Sequence, residues 1–207
     1  MVPENFTHLA NIILNYTLLM VDGHPHRICE IEFYLNSPEH PDQYVHGHMD
    51  QTKNATWYFH RFNTGTYKAA SFKGLDIVLG HSDTAGFDPM RFGRINGVYA
   101  AILIRSVIDI EQRLFIEGPC KTVEHILARS GFDSIMAFTG NNSLSILQND
   151  RGLVLIEGNP DQIEPLKYGP RFGLNKTGPG YDEYKDKCYR YAVGPIKKNK
   201  TKLKFIL

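Results

Sequence analysis

The sequence predicts an α+β fold in a single domain spanning residues 1–207, and three observations point to it. Strand-like segments with a period of two are mixed with segments of helical spacing. The two kinds follow one another without a strand–helix–strand rhythm, so a doubly wound parallel sheet is not indicated. The chain of 207 residues is 42% hydrophobic and 22% charged, which suits one large globular domain, and it contains no internal repeat, low-complexity block or linker.

In chain order, "NFTHLANIILNY" (5–16) sets Phe6, Leu9, Ala10, Ile13 and Leu14 at helical spacing and reads as an amphipathic helix. "TLLMV" (17–21) is a strand, and the Asp-Gly of "DGHPHR" (22–27) is a turn signal. "CEIEFYLN" (29–36) alternates, with Cys29, Ile31, Phe33 and Leu35 on one face and Glu30, Glu32, Tyr34 and Asn36 on the other. "SPEHPDQ" (37–43) is a loop by its prolines, and 46–64 is polar and aromatic without a clean period. "GTYKAASFKGLDIVLG" (65–80) suggests two short strands broken near Lys73, and 83–98 is a Gly-rich excursion. "VYAAILIRSVIDI" (98–110) reads as a buried strand with Arg105 in or near its end. "GPCKTVEHILARSG" (118–131) is a helix with Pro119 at its start, Gly131 as its stop, and Val123, Ile126 and Leu127 facing the core. "GLVLIEG" (152–158), "GPRFGL" (169–174) and "CYRYAVG" (188–194) read as late strands.

Charge is unevenly spread. Residues 1–166 carry 12 Lys+Arg against 19 Asp+Glu, a net of −7, while 167–207 carry 11 against 3, a net of +8. A basic C-terminal quarter, densest at 195–207, can lie along phosphates or be a solvated tail. No apolar run reaches the roughly 18 residues of a bilayer span, so no membrane partner is expected. The start "MVPENFTHLANIILNYTLLMV" lacks a basic segment and a small-residue cleavage site. The three cysteines, Cys29, Cys120 and Cys188, have no metal or redox spacing and read as reduced, buried thiols. The expectation is an intracellular protein, nuclear in a eukaryote and otherwise cytoplasmic.

Glu32, His46 and Arg105 come together if their strands are neighbours. A carboxylate walled by aromatics can act as a general base on water, and an arginine beside it can keep it charged. Tyr34 shares the Glu32 face and can stack a planar ligand. The alternative is a solvated Glu32 and a structural Arg105. Six histidines cluster at 24, 26, 40, 46, 48 and 60. His46-Gly47-His48 could offer two metal ligands, but no Cys or carboxylate stands at a zinc spacing, so surface histidines are the simpler reading. No Walker-type motif occurs, and "GPGYDEY" (178–184) lacks a following helix signal.

The order of these motifs resembles the alkyladenine (3-methyladenine) DNA glycosylase family over nearly the whole chain. The resemblance is carried by "LANIILNYTLLMVDG", "HRICEIEFYL", "GTYKAASFKG", "AAILIRSV", "EGPCKTVEHIL", "SLSILQNDRGLVLIEG", "YGPRFGL" and "CYRYAVG". It implies a curved, mainly antiparallel sheet flanked by helices, a monomer, and no metal or organic cofactor. Glu32 takes the place of the general base and Arg105 that of the arginine holding the attacking water. Tyr34 takes the place of an aromatic under a flipped base, and His46 that of a histidine across the pocket, with His40 and His48 as rivals. Ala70 and Gly80 stand where the family has a stacking tyrosine and a base-screening asparagine. Lys73 stands where it has the tyrosine that wedges into the duplex. Lys73, Lys121 and Arg171 are the expected nucleic-acid contacts. The loop after the histidine, "HMDQTKNAT", is less basic than the family's.

A DNA glycosylase excising alkylated or deaminated purines is therefore expected, with a DNA-binding surface weaker than the family's. The rivals are a hydrolase of another N-glycosidic substrate, such as a nucleoside, RNA or single strand, and a non-catalytic module on the same fold. Trp57, Tyr58 and Phe59 either supply new stacking surface or anchor the core. The expectation of DNA further requires that the basic 167–207 segment border the Glu32 pocket.

Overall fold

The structure, a computed structural model, describes residues 3–60, 73–87, 95–147, 152–158, 163–195 and 204–205. After a 3-10 turn at Pro3–Asn5 come helix α1 (Phe6–Asn15), strand β1 (Thr17–Val21) and strand β2 (His24–Ser37). Asp22 and Gly23 join β1 to β2 with φ of 46° and 85°. Positive φ at both central residues is the two-residue hairpin geometry whose twist matches the strands it connects.

Strands β3 (His40–Pro41), β4 (Thr56–Phe59), β5 (Leu75–Val78), β6 (His81–Phe87) and β7 (Ile95–Asp109) follow, with a 3-10 turn at Met49–Thr52. Then come β8 (Leu114–Glu117), α2 (Pro119–Arg129), α3 (Ile135–Asn141), β9 (Leu153–Glu157), β10 (Lys167–Gly169), β11 (Arg190–Ala192) and β12 (Lys204–Phe205).

These strands form a curled antiparallel half-barrel, and the fold is α+β. The main path runs β12-β10-β11-β2-β7-β5-β4, with β1, β3, β6, β8 and β9 attached at its sides. Its spine is the β2–β7 ladder, in register from His26 opposite Asp109 to Asn36 opposite Tyr99. The register skips Cys29 on β2 and Arg105 on β7, which makes a bulge on each strand.

The apolar face of β2 is covered as its alternation requires. Phe6 of α1 stacks on Phe33 with ring centroids 4.3 Å apart, and Ala10, Ile13 and Leu14 are buried beside it. α2 seats Val123, Ile126 and Leu127 in the same core, with Pro119 in its first turn. Burying side chains of this size stabilises by about 1.5–3 kcal/mol each.

The sequence reading departs from the fold in several places. β8 and α3 were not anticipated; both are short, and their apolar residues are too few to show a period. Residues 170–174 form a loop after β10 instead of a strand. Of the three cysteines only Cys29 is buried, its thiol pushed up to about 12 by burial, while Cys120 is partly exposed and Cys188 exposed. Trp57 and Phe59 are core anchors, and Trp57 Nε1 donates to the Leu153 carbonyl at 2.9 Å. Most of the 65–74 hairpin and of the 195–207 segment lies outside the described residues. No helix among the described residues is long and apolar enough to cross a membrane.

Candidate functional site

The Glu30-Glu32-Tyr34 face of β2 is not a wet face. Glu32 is wholly buried. Its Oε1 accepts the Phe172 backbone N–H at 2.7 Å, and its Oε2 accepts the Tyr34 hydroxyl at 2.9 Å. Arg105 Nη1 stands 3.3 Å from Oε2. Tyr34 reaches the carboxylate because residues i and i+2 share a strand face. Arg105 sits at the bulge on β7, a device that re-aims a side chain out of the regular pleat.

Glu30 is bound more tightly than the sequence suggests. Its Oε1 accepts from Arg105 Nε at 2.9 Å and from Arg190 Nε at 2.6 Å. Two carboxylates and two guanidiniums thus share one buried patch, neutral as a set. Burial works against the Arg105 cation, but Glu32 and Glu30 outweigh it and raise its pKa above the ordinary guanidinium value. Burial, and then the Glu32 charge, push the Tyr34 hydroxyl well above the ordinary tyrosine range, so it remains a donor.

Beside this patch lies a cavity of about 280 Å³. The sheet register explains its floor. Arg190, Glu32, Leu103, Asp76 and Tyr58 are opposite one another in turn across five strands, so they share a face. Leu103, Asp76 and the Tyr34 ring line the cavity, together with His46, His60 and Tyr44 from the loops. His60 Nε2 lies 3.0 Å from both Asp76 oxygens, and Gln51 Nε2 donates to Asp76 Oδ2 at 3.0 Å.

Of the three competing histidines, His46 is the one on the cavity wall, its ring 5.3 Å from His60 and 5.9 Å from Tyr58. His40 is buried between the Leu35 carbonyl and the Tyr189 hydroxyl. His48 caps the 3-10 turn at 49–52 and stacks on Tyr58.

The remaining expected residues fare differently. Arg171 turns inward: its guanidinium pairs with Asp42 at 2.6 Å, donates to the Phe33 and Tyr184 carbonyls, and covers the Tyr34 ring at 4.6 Å. It offers no surface to a phosphate and instead fixes Tyr34 from behind. At Gly80 a Cβ would come within 2.1 Å of the Gln51 carbonyl oxygen and 2.5 Å of that of Val98. This position therefore has no room for a base-screening side chain, and close backbone approach accounts for the glycine. Lys73 pairs with Glu124 of α2 at 3.0 Å, and Lys121 is exposed in the first turn of α2. Ala70 lies outside the described residues.

Sequence reading misses Asp76, Gln51 and the clamp on Glu30, and has His60 only as one of a group of histidines. Asp76 left a signal: it is a lone charge within the apolar "GLDIVL", and such a residue needs a buried partner. Arg190 in "CYRYAVG" left the same one. Of the 167–207 segment, Phe172 meets Glu32 and Lys176 lines the cavity, while most of its basic stretch at 195–207 lies outside the described residues.

Fold and site together define an α+β half-barrel with a buried carboxylate–guanidinium patch beside a cavity lined by tyrosines and histidines. No family model matches the chain. An uncharacterized protein of Acanthamoeba polyphaga mimivirus, L759, is 41% identical over 204 residues, covering 97% of this chain and 92% of that protein. The chain belongs to the same family as L759.

Proposed function

We propose that the protein is a monomeric N-glycosidic hydrolase of the alkyladenine-glycosylase kind, acting on damaged purines in DNA. The carrying observation is the buried Glu32 carboxylate held by Arg105 and by Tyr34, whose ring lines a neighbouring cavity walled by tyrosines and histidines. Glu32 takes a proton from water, and the water oxygen bonds to the sugar C1′. The C1′–N bond breaks, with its electron pair leaving on the base. Tyr34 and His46 grip the base. The Tyr34 hydroxyl and Arg105 hold the carboxylate charged and oriented.

A second reading has a specific observation behind it. Lys73, which by the resemblance stands where the glycosylases have their unstacking wedge, is tied to Glu124. A lysine cannot replace an aromatic wedge, which favours a substrate whose base is already unstacked, such as a single strand or a nucleoside. The test is release of hypoxanthine or alkyladenine from duplex, single strand and free nucleoside. Release from the duplex that disappears in Glu32→Gln supports the first reading. Release from the single strand or the nucleoside but not from the duplex moves the assignment to the second. No release from any of the three, with no DNA retention at low salt, overturns both.

A further inference from the structure

A second polar cluster lies at the other end of the β2–β7 ladder, six residues along β2 from Glu32, roughly 20 Å at strand rise. His26 of β2 and Asp109 of β7 are directly opposite each other, and His125 comes from the middle of α2. His26 and Asp109 are wholly buried, and the His125 side chain is 12% exposed. The three facing atoms are close together: His26 Nε2 to His125 Nε2 3.0 Å, His125 Nε2 to Asp109 Oδ2 3.3 Å, and His26 Nε2 to Asp109 Oδ2 3.5 Å.

Hydrogen bonding accounts for only part of this. His26 Nδ1 lies 2.9 Å from the His24 carbonyl oxygen, and a carbonyl can only accept. The His26 proton is therefore on Nδ1, and Nε2 presents a lone pair. The His125 Nε2–H then serves His26, which leaves Asp109 Oδ2 buried without a hydrogen bond. Arg129 Nε stands 2.9 Å from that oxygen without making one, while its Nη2 is drawn to Glu111 at 2.6 Å. A buried carboxylate oxygen that has an ion-pair neighbour but no aligned hydrogen bond is uncommon and calls for an explanation.

The geometry points to one. We propose that His26, Asp109 and His125 form a site for a divalent transition-metal ion, Zn²⁺ foremost, that staples α2 to the end of the β2–β7 ladder. Ligand atoms about 2.05 Å from a tetrahedral ion lie about 3.3 Å from one another. The observed edges of 3.0, 3.3 and 3.5 Å bracket that value. A point about 2.05 Å from all three atoms lies about 0.8 Å above their plane, close to where a tetrahedral ion sits over three ligands. The surroundings fit as well: a ligating imidazole donates its other N–H to a carbonyl, as His26 does, and Asp109 Oδ1 is fixed by the Gln112 N–H at 2.9 Å. Two imidazoles and one carboxylate select zinc, cobalt, nickel or copper over magnesium and calcium. Two neighbouring charges act in opposite directions, since Arg129 opposes a cation and Glu111 supports one.

The test is direct. The purified full chain, stripped with a chelator, is titrated with Zn²⁺ by equilibrium dialysis and by thermal unfolding, beside His125→Ala and, as a control for surface histidines, His48→Ala. The expected result is one more tightly bound Zn²⁺ in the wild type and in His48→Ala than in His125→Ala. At a hundredfold excess over Kd the wild-type Tm should rise by about 5–10 °C, and the chelator should reverse it. Co²⁺ in the wild-type protein should give the intense visible absorption of tetrahedral coordination, a reading that needs no variant. Equal Zn²⁺ binding in the wild type and a folded His125→Ala, or an unchanged Tm together with no tetrahedral Co²⁺ absorption, overturns the proposal. None of these readings involves glycosidic hydrolysis, so the fate of the Glu32 assignment leaves them unaffected.

Discussion

The β2–β7 ladder carries two buried polar clusters, and they differ in how completely they are paired. At Glu30, Glu32, Arg105 and Arg190 two negative charges meet two positive ones, and Tyr34 and the Phe172 N–H complete the Glu32 carboxylate. At His26, Asp109 and His125 one carboxylate oxygen has no hydrogen bond, and three donor atoms converge on one point. A closed set of charges holds its own geometry. An open set needs something else to complete it. The ladder supplies rigidity to both ends, and bulges at Cys29 and Arg105 turn one end into a charge network.

The largest effects should separate the two glutamates of the closed cluster. Glu30→Gln removes the shared partner of Arg105 and Arg190 and leaves two poorly compensated buried cations. Breaking a buried pair in this way costs about 3–5 kcal/mol, readable by denaturant unfolding. Glu32→Gln keeps an oxygen for Phe172 or Tyr34, so its stability loss should be the smaller. On the proposed mechanism it should lower base release by about 10²–10⁴-fold. Equal destabilisation by both changes would make the cluster purely structural and break the contrast between base and clamp.

Arg171→Ala comes next. The substitution strands Asp42 and two carbonyls and removes the cation covering the Tyr34 ring. It should destabilise by about 3–5 kcal/mol, yet leave the salt dependence of DNA retention unchanged, since a buried guanidinium releases no counterions from phosphate. A reduced salt slope in a folded Arg171→Ala would show that this arginine does reach the nucleic acid.

Tyr34→Phe removes one hydrogen bond to a charged group, worth about 1.5–3 kcal/mol. Its pH signature is more specific. The Tyr34 pKa is raised by burial and by Glu32. A raised group contributes stability fully below the unfolded tyrosine value near 10, and that stability is lost as pH rises through the folded value. Wild type should therefore lose stability more steeply than Tyr34→Phe above about pH 10. Alkaline unfolding followed by tyrosinate absorbance measures the difference, and parallel curves would mean that Tyr34 titrates freely.

What could be read from the sequence follows physical range. Local periodicity places α1, β1, β7 and α2 within a residue or a few of their observed bounds, because each has a buried stripe long enough to show a period. It finds only the C-terminal part of β2, since that strand's first residues, 24–27, fall in the expected turn. The same alternation put Glu30, Glu32 and Tyr34 on one face, but it carries no record of what packs there, so Glu30 looked uncommitted. Its partner Arg190 lies 160 residues away. The open cluster is equally hidden: in the sequence His26 is only one of a group of histidines. Asp109 and His125 join it through tertiary packing, with none of the short spacings by which a zinc motif is recognised. Charge was the misleading signal, since Arg171 looked like a phosphate contact and is an internal brace.

The smallest effect tests whether the two ends communicate with a nucleic acid through α2. Lys73 Nζ pairs with Glu124, the neighbour of His125 in the chain, and that Glu124 side chain is 58% exposed. An ion pair so open to water is worth about 0–1 kcal/mol, so Lys73→Ala should leave Tm nearly unchanged. A double-mutant cycle with Glu124→Ala should return a coupling within that range. Retention on DNA reads something different. If Lys73 leaves Glu124 for a phosphate when DNA binds, Lys73→Ala lowers the slope of log affinity against log salt by about 1, and Glu124→Ala raises affinity by freeing the lysine. A slope unchanged in both variants assigns Lys73 to α2 alone, as a structural contact.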